Sequence, residues 1–218
     1  TDFVQKLNKW SDFVEKGYHE VCDLIIVGSE FHKNKVVKYF NLHKDKVEVT
    51  GCVWNNKEAF KIYPHKNTKE DYVIFPHRLS KEKGIDDFLN IAKSMPNKNF
   101  IVTSSSNKKC NIDLPSNVKY INNLTKKQYY SYLSKAKYYL STAYQETFGY
   151  TLREAMLYDC RIVAPNELCY PEMLPEECLY DRKDLDTIKK YLTTDFQMPR
   201  GYKSMYDQSF SNMINLLV

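Results

Sequence analysis

Short runs of branched and aromatic residues recur along this chain, separated by stretches of about ten residues whose apolar side chains fall at helical spacing. Residues 23–29, 47–49, 72–76, 100–103, 118–121, 138–141 and 161–164 read as strands. Residues 30–40, 84–94, 125–136 and 149–158 read as helices between them. Thr125 caps the third of these helices, which carries Tyr129, Tyr132 and Leu133 at apolar positions. Strands alternating with helices in this way predict an α/β protein with a doubly wound parallel sheet and with ligands at the strands' carboxyl ends.

These elements divide unevenly. Residues 1–52 carry two strands, one crossover and a first helix over about residues 1–17, with Phe3, Val4, Leu7, Trp10, Phe13 and Val14 at amphipathic spacing. Two strands do not make a sound sheet, so this piece reads as the terminal part of a larger domain, incomplete here. Residues 53–70 lose the periodicity around Pro64 and read as a linker. Residues 71–201 supply a full α/β domain, and residues 202–218 a last helix starting near Lys203. A hydrophobic content of 43% is enough for an ordinary core. The net charge of +5 suits a phosphate-bearing partner, yet it is equally ordinary for an enzyme. The cysteines form no C-x-x-C pair and no cluster at metal-ligand spacing, so they read as reduced thiols in a cytoplasmic protein. No run approaches the roughly 18 apolar residues of a membrane span, and no signal-peptide pattern is present.

Two segments concentrate the chemistry. In residues 144–156 a strand ends, a short loop holds Glu146, Gly149 lets the backbone pass close to a ligand, and a helix opens that carries Glu154. Glu146 can accept hydrogen bonds from sugar hydroxyls, and Glu154 can take the paired hydroxyls of a ribose. Amides at the helix start favour an anionic phosphate. A plainer reading fits the same residues: Glu146 as a capping acid and Glu154 as a solvated helix residue. In residues 75–84 a strand ends in His77 and Arg78, and Lys83 sits at the next helix start. The planar fork of an Arg and the point charge of a Lys can together neutralise a diphosphate, although two exposed loop cations would look the same.

The Arg–Lys spacing, together with the Glu-x7-Glu spacing followed by Ala155-Met156, resembles the retaining GT-B glycosyltransferases, enzymes with two Rossmann-like domains. This resemblance implies that Arg78 and Lys83 bind the donor diphosphate. Glu154 would hold the ribose, and Glu146 would hold the transferred sugar with the backbone of Thr147, Phe148, Gly149 and Tyr150. His77 would face the site, and base recognition would use backbone groups around Asn123 and Leu124. On the same grounds residues 1–52 would be the end of the acceptor-side domain, residues 71–201 the nucleotide-sugar domain, and residues 202–218 a helix packing back on the first domain. The donor would be a nucleoside-diphosphate sugar, with no cofactor and no metal.

Finer features are similar to a subgroup that glycosylates nucleic-acid bases, namely tRNA-queuosine mannosyltransferases and phage enzymes acting on modified DNA bases. Phe75-Pro76-His77-Arg78 replaces the common Gly-Arg, and residues 165–173 stand where most members have a Gly-Gly loop. Pro171 and Glu172 would then lie near the donor phosphates. DNA or tRNA is the acceptor this implies, with a saccharide or lipid as the alternative. A non-catalytic nucleotide-binding module and a GT-B phosphorylase are further alternatives. Retention of all four donor residues argues against the first, and the short chain against the second. Asp184-Leu185-Asp186 spells the Asp-x-Asp of metal-dependent transferases, but it opens a late helix, where acids are expected as caps. Tyr129, Tyr130 and Tyr132, and likewise Tyr138 and Tyr139, could stack on bases, although aromatics at helix and strand spacing are more often core.

Overall fold

The computed structural model describes residues 9–51, 56–65, 68–104, 110–195 and 215–216. Its larger sheet is built from β3 (Glu70–Phe75), β4 (Asn99–Thr103), β5 (Val118–Ile121), β6 (Ala136–Leu140), β7 (Arg161–Pro165) and β8 (Leu179–Tyr180). The order is β5-β4-β3-β6-β7-β8, and every neighbouring pair is parallel. The central strands are buried on both faces: Tyr72 to Phe75 and all of β7 are shielded from solvent, as the apolar runs 72–75 and 162–165 require. Helices α3 (Asn56–Ile62), α5 (Lys126–Lys135) and α6 (Tyr150–Leu157) cover one face through Ala59, Tyr130, Leu133, Leu152 and Ala155. Helices α4 (Ile85–Ser94) and α8 (Leu185–Tyr191) cover the other through Ile85, Phe88, Ile91, Ala92 and Ile188. A short helix, α7 (Tyr170–Met173), lies between β7 and β8.

A smaller parallel sheet pairs β1 (Ile25–Val27) with β2 (Val47–Val49) through the crossover helix α2 (Glu30–Phe40). Val27, Val36 and Val47 form its core. Helix α1 (Lys9–Val21) continues past Gly17, and its Phe13, Tyr18 and Val21 are exposed. The small sheet touches the large domain directly. Ser29 Oγ donates to the Thr147 carbonyl at 2.5 Å, and the Glu172 carboxylate accepts from the Glu30 and Phe31 amides at 2.8 and 2.7 Å. Glu172 thus caps α2.

Helix α3 stands inside the stretch that lost periodicity in the sequence. It has too few apolar residues to show a stripe; Ala59 is buried, with Ile62 and Tyr63 packed beside it. The Tyr158 hydroxyl fastens it by donating to the Ala59 and Tyr63 carbonyls at 3.2 and 2.7 Å. Lys69 donates to the carbonyls of Ser134 and Ala136, each at 3.0 Å, and to that of Tyr158. The last helix read from sequence lies outside the described residues, apart from 215–216. Among the described residues no helix is long and apolar enough to cross a membrane.

The chain winds outward from β3 in one direction and from β6 in the other, so a crevice opens where these two strands lie side by side. The loops that follow them are stitched together. Tyr144 and Gln145 amides donate to the Glu82 carbonyl at 2.9 and 3.0 Å, and Thr142 Oγ1 donates to the carbonyls of Lys83 and Gly84. Gly84 has φ +70°, and a Cβ there would lie 1.9 Å from the Thr142 carbonyl oxygen. Backbone cannot yield as a flexible side chain can, so Gly84→Ala should cost about 2–4 kcal/mol from left-handed strain plus overpacking. Denaturant unfolding checks this, and a loss below about 1 kcal/mol would show that the two loops tolerate separation.

Candidate active site

Lys83 and Glu146 meet in the crevice. Lys83 Nζ lies 3.0 Å from Glu146 Oε2 and also donates to the Gln145 carbonyl at 2.9 Å. The side chains are only 16% and 17% exposed, so this pair is more strongly coupled than a surface ion pair. The other oxygen, Oε1, accepts from the Thr147 and Gly149 amides at 3.2 and 3.1 Å. Glu146 therefore ties down the loop that leads into α6 without capping the helix itself, and in this conformation the Gly149 amide is committed to it. Burial would raise the Glu146 pKa, but the Lys83 charge and hydrogen bond outweigh it and hold the group below its ordinary value.

His77 ends β3 behind this pair and is buried. Its Nε2 is 3.1 Å from the Tyr139 hydroxyl, which also sits 3.0 Å from Thr151 Oγ1 on α6. Burial, reinforced by the Lys83 charge and opposed by Glu146, lowers the His77 pKa from 6.5 to about 3. The imidazole is neutral at physiological pH and acts as a hydrogen-bonding group. The sequence offers Tyr139 only for base stacking or core; its bridging role is not evident there, because it depends on β6 lying next to β3.

The remaining expected residues are more dispersed. Arg78 is apart from Lys83, with a side chain 75% exposed and paired to Glu82 at 3.3 Å. Phe148 is buried in the core, whereas Tyr150 is half exposed with its ring 5.6 Å from that of Phe148. Glu154 is buried on α6, not solvated, and accepts from the Tyr129 and Tyr130 hydroxyls. Asn123, in a left-handed conformation with φ 53°, and Leu124 border a hollow of about 470 Å³ between the sheet and α5. Asp184 caps α8 by accepting from the Thr187 amide at 2.9 Å. Among the described residues no three His, Cys, Asp or Glu side chains gather closely enough to hold a metal ion.

Arg182 is a further residue that the sequence did not signal. Its guanidinium donates to the carbonyls of Thr142, at 2.9 Å, and Ala143, pairs with Glu167, and stacks 4.1 Å from the Tyr144 ring centre. It thereby props the β6–α6 loop from beneath. Its position just beyond β8 is the one clue available, and β8 is too short to stand out.

A parallel sheet in this order defines a Rossmann-like domain, with a cation–carboxylate pair at its point of reversal. Residues 56–194 match the family described as Glycosyl transferases group 1, and the chain belongs to that family. It is 37% identical over 89 residues to the tRNA-queuosine alpha-mannosyltransferase of Drosophila melanogaster, a match covering 41% of this chain and 23% of that protein. Sucrose-phosphate synthase from Thermosynechococcus elongatus superimposes with a TM-score of 0.68 at 17% identity, covering 96% of this chain and 58% of that one. Anabaena HepE in complex with UDP and glucose superimposes with a TM-score of 0.62 at 14% identity, covering 88% and 58%. The fold is that of the GT-B glycosyltransferases. This chain spans less than two thirds of these relatives' lengths.

The lowered His77 pKa has a consequence for stability. Unfolding restores a value near 6.5, so the unfolded chain binds a proton that the folded chain refuses between there and about 3. Stability from this group is fully present above pH 6.5 and falls as pH drops, by about 1.4 kcal/mol per unit. Urea unfolding across about pH 5.5 to 4 should therefore show a steeper loss in the wild type than in His77→Gln. Parallel profiles for the two proteins would mean that His77 is not held neutral.

Proposed function

We propose that this chain is the donor-binding part of a retaining glycosyltransferase that moves a sugar from a nucleoside-diphosphate sugar to a hydroxyl. The observation that carries the reading is the buried Lys83–Glu146 pair at the sheet's point of reversal in a chain of the group 1 glycosyltransferase family. Lys83, with Arg78 swinging from Glu82, would neutralise the diphosphate as its bond to the anomeric carbon breaks. Glu146, kept ionised by Lys83, would orient the sugar while positive charge develops on its ring. The acceptor oxygen would bond the same face of that carbon, and the departing phosphate would take the acceptor's proton. No metal is required in this scheme, because the two cations carry the leaving group. The complete enzyme would add further strands to the small sheet as its acceptor-side domain, and would work in the cytoplasm.

The diphosphate contact is testable by calorimetry with nucleoside diphosphates. Lys83→Ala and Arg78→Ala should each lose a charge-assisted hydrogen bond, about 1.5–3 kcal/mol, or roughly tenfold to a hundredfold in affinity. Unchanged affinity in both variants would remove the assignment.

The acceptor we propose is a base in nucleic acid, supported by the Drosophila relative's name and by the residues that replace the Gly-Gly loop. A saccharide or lipid acceptor is favoured instead by solved structures such as the lipopolysaccharide outer core galactosyltransferase WaaB, similar at a TM-score of 0.61 and 14% identity over 90% of this chain. Labelled sugar should pass from a saturating donor to tRNA or modified DNA, with transfer falling steeply as salt rises. Transfer to oligosaccharides alone would reverse the choice. The same assay in excess chelator should keep its rate, and loss restored by a divalent ion would overturn metal independence.

A further inference from the structure

Glu154 is 7% exposed, an unusual setting for a carboxylate expected to receive a ligand. It is not orphaned, and among the described residues no cation is in hydrogen-bond contact with it, although the Lys126 charge acts on it. The Tyr129 hydroxyl donates to Oε2 at 2.7 Å, and the Tyr130 hydroxyl donates to Oε1 at 3.1 Å. The two phenols thus take one oxygen each. They are neighbours on the first half of α5, and their rings lie 5.4 Å apart. A carboxylate offers about four lone-pair sites, two on each oxygen, so one site on each is left over.

The direction of that remaining capacity follows from α6. Thr151 lies three residues before Glu154, one turn away on the same side of the helix. Its hydroxyl is bridged through Tyr139 to His77 at the end of β3. The side of α6 that carries Glu154 therefore adjoins the crevice. Burial raises the Glu154 pKa, and the two phenol hydrogen bonds oppose that rise. Both phenols stay protonated, since burial and the adjacent carboxylate push their own pKa values upward.

We propose that Tyr129 and Tyr130 are positioning residues for the donor's ribose: they fix the orientation of the Glu154 carboxyl group, leaving one acceptor site on each oxygen for the two ribose hydroxyls. The inference rests on the reading that Glu154 takes the ribose. It goes further in making the two tyrosines the reason a buried acid can do so, and in predicting selection against deoxynucleotides. A ligand without the 2′-hydroxyl leaves one aimed acceptor site unpaired in a buried setting, whereas a freely rotating carboxylate would adapt.

The test is calorimetric titration of the complete enzyme with UDP, GDP, ADP and CDP, then with the 2′-deoxy form of whichever binds. Wild type should prefer the ribonucleotide by about tenfold or more. Tyr129→Phe and Tyr130→Phe keep the packed rings and remove only the hydroxyls. Each should shrink the preference severalfold, and together they should bring it near one, while affinity for the deoxynucleotide stays unchanged. A preference intact in the double variant but lost in Glu154→Gln would overturn the role of the tyrosines and leave the ribose reading standing. Equal weakening toward both ligands would show a merely structural role and also overturn the proposal. No preference in the wild type, or no binding of any diphosphate, would remove the ribose reading and the proposal with it.

Discussion

The contact between Gly84 and the Thr142 carbonyl sets the geometry on which the rest of the crevice depends. Two loops that leave adjacent parallel strands must run past each other without side chains between them, and only a residue lacking a Cβ permits the approach. Once there, each loop supplies hydrogen bonds to the other. Glu82 accepts two amides from the β6 side, and Thr142 serves two carbonyls from the β3 side. Lys83 and Glu146 lie directly beside these bonds in sequence, so their 3.0 Å pairing follows from backbone geometry. Arg182 adds support from β8, which ties the outermost strand to the same loop.

Electrostatics inside the crevice then follows from a single cation held in a poorly solvated place. Lys83 stabilises the Glu146 carboxylate against burial and, by the same field, disfavours protonation of His77. With Arg78 turned outward to Glu82, the interior pair is close to charge balance. Under the proposed donor reading, a diphosphate would bring negative charge beyond what Lys83 offsets while it also serves Glu146, and Arg78, exposed and held by a surface pair to Glu82, would be the cation free to turn toward it.

The sequence made the fold legible where burial was extreme. Residues 72–75 of β3 and 162–165 of β7 are short buried apolar runs bounded by loops, the pattern of a strand covered on both faces. Thr125 and Asp184 advertised their helices because capping is a local interaction, and both caps are present. Helix α3 escaped notice because its packing rests on Ala59 and on carbonyls that Tyr158 reaches from nearly a hundred residues away, |i−j| = 99. Strand β8, the bridging role of Tyr139 and the propping role of Arg182 were hidden for the same reason. Each depends on which strands become neighbours, and periodicity carries no information about strand order. Lys83 at a helix start and Glu146 in a loop after a strand were legible as individual residues; their pairing required the order β3-β6.

The loop that holds Glu146 is also where the two sheets meet. Thr147 donates its amide to the Glu146 carboxylate and accepts Ser29 Oγ with its carbonyl, so one residue is bonded to the site on one side and to the small sheet on the other. Glu172, two amides deep in the start of α2, fixes the same junction from the β7–β8 connection. A carboxylate at a helix N-terminus is favoured by the helix dipole, and its bidentate acceptance of the Glu30 and Phe31 amides restricts rotation as well as separation. Gly-Gly at that place would offer amides and no such tie. Glu172 therefore gives this connection a rigid attachment to α2, and any displacement of the small sheet must act on Thr147 and hence on the acid that Lys83 holds.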